Sequence, residues 1–328
     1  MPNVHSTLGP RLGARAIFLA AGAMALSLAA AAHAGAAASE AQRQADWRET
    51  MKHMPSSGGG CFTATYPTAA WVKADCVAAP QIPFIPRHGH GAYTVGNGND
   101  YAAVVTGLVS NGEGSFPAVT VTKETDGGAP NTYSIQLNSQ FFASPACSGA
   151  TNPSKCLGWE QFVYSSSSRA GFMQYWLITY GSKCPSGGWM SYSGDCYRNS
   201  AAVSIPTEAI TNLGSMTLTG NAVSAGLDTL TFTVGTKAYR TTGADTVVTL
   251  ANYWNAAEFN VIGDGGGSEA VFKRGTNITV SIALTDGLTA APVCKSDDGT
   301  TGETNNLTLH ACTASGGSTP SVSFTESN

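Results

Sequence analysis

Charge is scarce in this sequence. Asp, Glu, Lys and Arg together make up 12% of its 328 residues, and the Glu/Lys/Leu blocks that build amphipathic helices are few. Histidine is rare too, at six residues. There is no His-Glu-x-x-His, no Gly-x-Ser-x-Gly and no phosphate-binding glycine loop ending in Lys-Ser or Lys-Thr. The common zinc-peptidase, serine-hydrolase and nucleotide-binding signatures are thereby removed. Cys-x-x-Cys is missing, which argues against a cysteine-built zinc site. Beyond the N-terminal region no apolar run approaches the roughly 20 residues that a bilayer span takes. Basic residues are outnumbered, 17 against 21 acidic, a balance that argues against nucleic acid as a partner.

What is plentiful is turn chemistry: 38 Gly and 15 Pro, with Ser, Thr and Asn between short alternating segments. That profile predicts an all-β protein. Residues 1–34 read as a signal peptide. Arg11 and Arg15 precede an apolar run from Ala16 to Ala32, and Ala32-His33-Ala34 fits a small-x-small cleavage site. Its removal leaves 15 basic against 21 acidic residues, formally −6, and a secreted or periplasmic protein with no membrane attachment. Residues 35–60 read as a flexible segment and candidate pro-segment, with a short helix over 40–54 and then a Pro/Ser/Gly linker. Residues 61–328 read as one domain.

All eight cysteines follow residue 34, and an even count after a signal peptide predicts disulfides. Eight cysteines allow 105 pairings. The pairing of sequence neighbours is preferred: Cys61–Cys76, Cys147–Cys156, Cys184–Cys196 and Cys294–Cys312.

Strands are expected over Tyr101–Val109 and Ala118–Lys123, with Asn111–Gly114 as a turn. Over Thr132–Phe142, Tyr133, Ile135 and Leu137 share one face, while Ser134, Gln136, Asn138 and Gln140 share the other. Such an amide row either lines a wet groove or faces solvent. Gly158–Ser165 and Gly171–Tyr180 form a predicted hairpin across Ser165–Ser168. It places Trp159 and Gln161 on one face of the first strand, and Gln174 and Trp176 on one face of the second. Thr207–Leu213 is the best short helix. In Ala257–Ile262 the alternation puts Glu258 and Asn260 opposite Ala257, Phe259 and Val261. Asp297–Asn306 reads as a solvated oxygen-rich loop, with calcium the weaker alternative. His88-Gly89-His90 is the one close histidine pair, read as loop residues.

With histidine and thiol chemistry unsupported, carboxylates and carboxamides remain: Glu258, Glu160, Gln136, Gln161 and Gln174. A strand-borne Glu can act as general base toward water. A nearby amide N–H₂ can hydrogen-bond the oxyanion formed on a scissile carbonyl. This scheme calls for no cofactor and no metal.

The order of three elements resembles the secreted glutamic peptidases, the eqolisin family, and a bacterial branch of such proteins. The elements are Ile135-Gln136-Leu137, the aromatic strands Trp159–Tyr164 and Phe172–Trp176, and Asn255-Ala256-Ala257-Glu258-Phe259. Phe259 stands where the family has Trp, and Leu137-Asn138 where it has Thr-Gly. The resemblance implies a concanavalin-like jelly-roll sandwich of two antiparallel sheets with a concave groove. It also implies Gln136 as oxyanion binder and Glu258 as activator of water. Asn138, Trp159, Gln161, Gln174, Trp176 and Asn260 would line the groove, and a polypeptide would be the substrate. Two rivals stand beside it. One is a non-catalytic groove for extracellular polysaccharide, with rings stacking on sugars. The other is a glycosidase using Glu160 and Glu258, which opposite strand faces would exclude.

Overall fold

The computed structural model describes residues 39–89, 95–296 and 299–328. The signal-peptide reading, His90 and the start of the oxygen-rich loop (Asp297, Asp298) lie outside the described residues. The chain divides into two compact units, Met1–Asp46 and Trp47–Asn328. The described residues of the first, 39–46, are helical. The second opens with helical residues 47–53 and is otherwise nearly all strand. Among the described residues no helix is long and apolar enough to cross a membrane.

Two large antiparallel sheets form a sandwich. The first runs in the order Val72–Ala74, Cys61–Thr65, Lys237–Ala244, Leu227–Val234, Met216–Asn221, Asn111–Thr120, Asn277–Thr285, Ser321–Ser327, Thr308–Ser315. The second runs Met190–Tyr192, Asp195–Asn199, Ala170–Ile178, Leu157–Ser165, Ser134–Ser139, Ala256–Ile262, Ala102–Val104, Val293–Lys295, with Val203–Ser204 also paired to Ala170–Ile178. Alternation decides what lies between them. Leu137, Phe259, Phe162 and Tyr164 of the second sheet meet Phe116, Leu218, Leu230 and Phe232 of the first in one continuous apolar core. Phe116 and Phe259 lie 4.9 Å apart, and Tyr164 stacks on Phe232 at 4.4 Å. All four expected disulfides are present. Each links cysteines 9 to 18 residues apart, as an oxidising compartment permits.

Three elements differ from the sequence reading. Asn111–Gly114 is no turn; it begins a ten-residue strand, Asn111–Thr120. Its glycines serve close approach. A Cβ at Gly112 would stand 2.9 Å from Trp254, and one at Gly114 1.9 Å from Phe259. The expected helix Thr207–Leu213 is instead extended at Thr207 and Glu208, with a 3-10 turn over Ile210–Ser215. Tertiary partners hold the backbone there. Tyr133 Oη donates to Glu208 O, and Glu208 N donates to Tyr164 Oη. The third is the described part of the oxygen-rich loop, which is buried: Thr300, Thr301 and Glu303 are fully shielded.

Candidate active site

Directly opposed residues of antiparallel strands share a face. Glu258 lies opposite Asn138, and Asn260 opposite Gln136. Asn138 in turn faces Gln161, Gln161 faces Gln174, and Trp159 faces Trp176. Gln136, Asn138, Trp159, Gln161, Gln174, Trp176, Glu258 and Asn260 therefore share one face of the second sheet, the face turned away from the sandwich core. Their neighbours Leu137, Phe259, Phe162 and Tyr175 point into that core.

The polar side chains are joined. Asn138 Nδ2 donates to Gln136 Oε1 at 3.0 Å and to Thr301 Oγ1 at 3.0 Å, and lies 3.4 Å from Glu258 Oε2. Gln161 Nε2 donates to the same Gln136 oxygen at 3.1 Å. Gln136 Nε2 donates to Ser134 Oγ at 2.9 Å. Trp176 Nε1 reaches the side-chain oxygens of both Gln161 and Gln174 at 3.0 Å. A connected amide network of this kind fixes orientations that isolated amides would not hold, although Asn138 Oδ1 and Glu258 Oε1 have no partner in it.

The expected open groove is not what the structure contains. Gln136, Asn138, Trp159, Gln161, Gln174, Trp176, Glu258 and Asn260 are all shielded from solvent, because loops fold over the face. One covering piece is the extended run Ala79–Arg87. Gln174 holds it at both ends of its amide: Phe84 N donates to Gln174 Oε1 at 2.7 Å, and Gln174 Nε2 donates to Ile82 O at 3.2 Å. A second piece is Thr300–Asn305. Thr301 Oγ1 donates to Glu258 Oε2 at 2.5 Å. A third is Asn97–Asp100. Sequence alternation assigns a side chain to a face, but what later packs on that face is a long-range matter.

The carboxyl groups define the electrostatics. Burial pushes Glu258 well above the usual carboxylate range, and the neighbouring Asp100 carboxyl, charged and hydrogen-bonded to it, pushes further. Asp100 is itself raised to about 6 by burial, against the relief of its bonds to Glu258 and the Asn97 amide. Two buried carboxyls in such contact hold a proton between them. Glu303 accepts from Ile85 N at 3.0 Å and from Gly267 N at 2.9 Å; burial raises it to about 7. Glu326 accepts from Asn260 and Asn305 at 2.8 and 3.1 Å, and burial raises it to about 8.

Glu160 is on the other face. It points between the sheets, where burial and the charges of Asp228 and Asp245 raise it strongly. Glu160 and Glu258 thus lie on opposite sides of one sheet, and the two-carboxylate glycosidase is excluded. Trp159 and Trp176, the expected sugar platform, are shielded and pack with Tyr197 and Phe141, so a sugar, like a peptide, would reach this face only once the cover opens. His88 pairs with the buried Asp195 at 2.9 Å, a structural tie. Among the described residues, Glu49, His53 and Glu113 are grouped closely enough to hold a cation. Lys52, however, already bridges the two glutamates. A surface cavity of about 480 Å³ beside Met54, Arg240 and Thr242 borders the first sheet and holds no carboxylate.

Asp100, Thr301, Glu303 and Glu326 were not singled out from the sequence. Asn97-Gly98-Asn99-Asp100 reads as an ordinary turn, and Glu326 as a strand residue near the chain end. Only the unusual density of oxygen side chains over 297–306 hinted at a role.

No family model matches the sequence, and no curated protein does. The chain is similar to one solved structure, scytalido-glutamic peptidase with a transition-state analogue inhibitor. Identity is 11%, over 71% of this chain and 100% of that one, at a TM-score of 0.25. The likeness is one of distant fold and does not bear on chemistry.

Proposed function

We propose that the chain is a secreted acid endopeptidase of glutamic-peptidase type, with Glu258 as general base and Gln136 as oxyanion donor. The single observation that supports this reading is the convergence on one sheet face of two carboxyls in contact, Glu258 and Asp100, with a carboxamide tied to them through Asn138. Two carboxyls sharing a proton supply both a base and an acid. In the proposed reaction Glu258 takes a proton from water as the water oxygen bonds to the scissile carbonyl carbon. The Gln136 N–H₂ group hydrogen-bonds the oxyanion. The tetrahedral adduct then loses its C–N bond, and a carboxyl proton passes to the departing amine. The four disulfides fit secretion.

The covering run must open for substrate to enter, so the test uses two proteins, wild type and Phe84→Ala. Opening also readmits water to Glu258 and Asp100 and so removes the burial that keeps both protonated; cleavage of a denatured protein, assayed from pH 2 to pH 8, is expected from at least one of them. In the active background Glu258→Gln lowers kcat/KM at least about 100-fold, and Gln136→Ala by about 100-fold. Silence of both proteins, each folded by circular dichroism, sinks the proposal.

A further inference from the structure

The run that covers the amide face is held by its backbone. Asn199 Nδ2 donates to Pro80 O at 2.8 Å, and Tyr197 Oη to Gln81 O at 3.1 Å. Gln174 takes Ile82 O and Phe84 N, as described above. Gly266 N donates to Pro83 O at 2.7 Å, and Gly302 N to Ile85 O at 2.8 Å. Ile85 N donates to Glu303, and Arg87 N to Thr300 O at 2.7 Å. Backbone groups from Pro80 to Arg87 are thus recognised almost residue by residue, mostly by groups that would recognise any extended chain.

Side chains of the run are taken up as well: Pro86 is buried and Ile85 half-buried, but the aromatic Phe84 has a pocket of its own. Phe84 is 1% exposed and sits among Val163, Ala170, Phe172 and Ala202, with its ring 5.8 Å from that of Phe172. Its neighbours Gln81 and Ile82 are exposed. Pro80, Pro83 and Pro86 keep the run extended and deny it hydrogen bonds of its own. The Gly265–Gly267 loop closes over it. A Cβ at Gly265 would stand 2.6 Å from Ile82, and all three glycines have positive φ.

We propose that the face from Asn199 through Gln174 to Glu303 is a binding site for extended polypeptide bearing an aromatic residue, filled in this structure by the chain's own residues 80–87. The site reads peptide backbone by side-chain amides and loop N–H groups, and selects one aromatic side chain with the Phe84 pocket. Such pairing of backbone affinity with pocket specificity is how extended peptides are bound elsewhere. The chain's own run competes at high effective concentration, so a free peptide enters only when the run is weakened. The biological meaning of the site, substrate selection, rests on the peptidase reading; binding itself does not.

The test therefore measures binding without turnover. The full chain carries Glu258→Gln, with or without Phe84→Ala. The probe is a fluorescent peptide of sequence Pro-Gln-Ile-Pro-Phe-Ile-Pro-Arg, alongside the same peptide with Ala for Phe. The protein with Phe84 intact is expected to bind neither. The Phe84→Ala protein is expected to bind the Phe peptide saturably and the Ala peptide at least tenfold more weakly. No binding by a cooperatively folded Phe84→Ala protein overturns the proposal, as does equal binding of the two peptides. Should Phe84→Ala fail to fold, amide hydrogen exchange of the Glu258→Gln protein decides. Phe84, Ile85 and Arg87 amides are expected to open at least tenfold more often than those of Leu137 and Val261; equal protection overturns the proposal. Binding by Phe84→Ala with Glu258 restored, but without cleavage, supports this site and sinks the peptidase.

Discussion

Between pH 8 and pH 4 the thermal unfolding midpoint is expected to rise by roughly 10 °C or more. The cause is the set of carboxyls buried beneath the covering loops and between the sheets. Burial holds Asp100 at about 6, Glu303 at about 7 and Glu326 at about 8, and pushes Glu258 and Glu160 well above the usual carboxylate range. In the unfolded chain all of these titrate near 4. At pH 8 the unfolded chain has released their protons, while the folded chain must either ionise them in a poor medium or keep protons that solution would remove. As the pH falls from 8 toward 4.5 the folded state takes up more protons than the unfolded, so stability grows. It is fully present below about 4, where both states are protonated. For Glu326 alone the separation corresponds to on the order of 5 kcal/mol before local relaxation. Calorimetry at pH 4, 6 and 8 measures the trend. A midpoint that falls on acidification contradicts the buried-proton description. Glu303→Gln keeps an oxygen for Ile85 N and Gly267 N and is expected to flatten the pH dependence.

Gly114→Ala is expected to destabilise the protein by about 3 kcal/mol or more. The added Cβ would meet the Phe259 ring at 1.9 Å. Gly114 lies in a strand hydrogen-bonded on both sides, to Met216–Asn221 and Asn277–Thr285, so its backbone has little room to retreat. Phe259 is pinned in turn, between Phe116 and the strand partner Leu137. Shortening that ring relieves the clash. Phe259→Ala alone is expected to cost about 3–5 kcal/mol by leaving a cavity, and the double variant less than the sum of the two, by about 1–3 kcal/mol. Chemical denaturation of the four proteins measures this coupling. Simple additivity would mean that the two residues do not touch. Because Glu258 neighbours Phe259 in the chain, the same cycle reports how firmly the core sets the carboxyl's position.

The legibility of the chain follows the range of the forces involved. Alternation in Ser134–Ser139, Leu157–Ser165, Ala170–Ile178 and Ala256–Ile262 is a local property with a two-residue period. It was enough to put Gln136, Glu258, Gln161 and Gln174 on corresponding strand faces. Pairing register then carried those faces onto one surface. The cysteine pairs were legible because each closes a short loop. The Asn-Gly-Glu-Gly run misled because glycine has two uses, turning a chain and admitting a neighbour's ring, and only the neighbour tells them apart. Thr207–Leu213 misled because tyrosine hydroxyls far along the chain hold backbone groups that a helix would have used.

The residue pattern alone was therefore sufficient for the all-β class, the disulfide pairs, the four strands that carry the amide face and the composition of that face. It was silent on whether that face is open. Closure depends on Phe84 finding a pocket beside Phe172, on Thr301 and Asp100 reaching Glu258, and on Glu303 taking the Ile85 amide. These contacts join segments 40 to 220 residues apart, and no local periodicity encodes them. A side chain's face follows from its neighbours in sequence, but its exposure depends on whatever the rest of the chain packs over it.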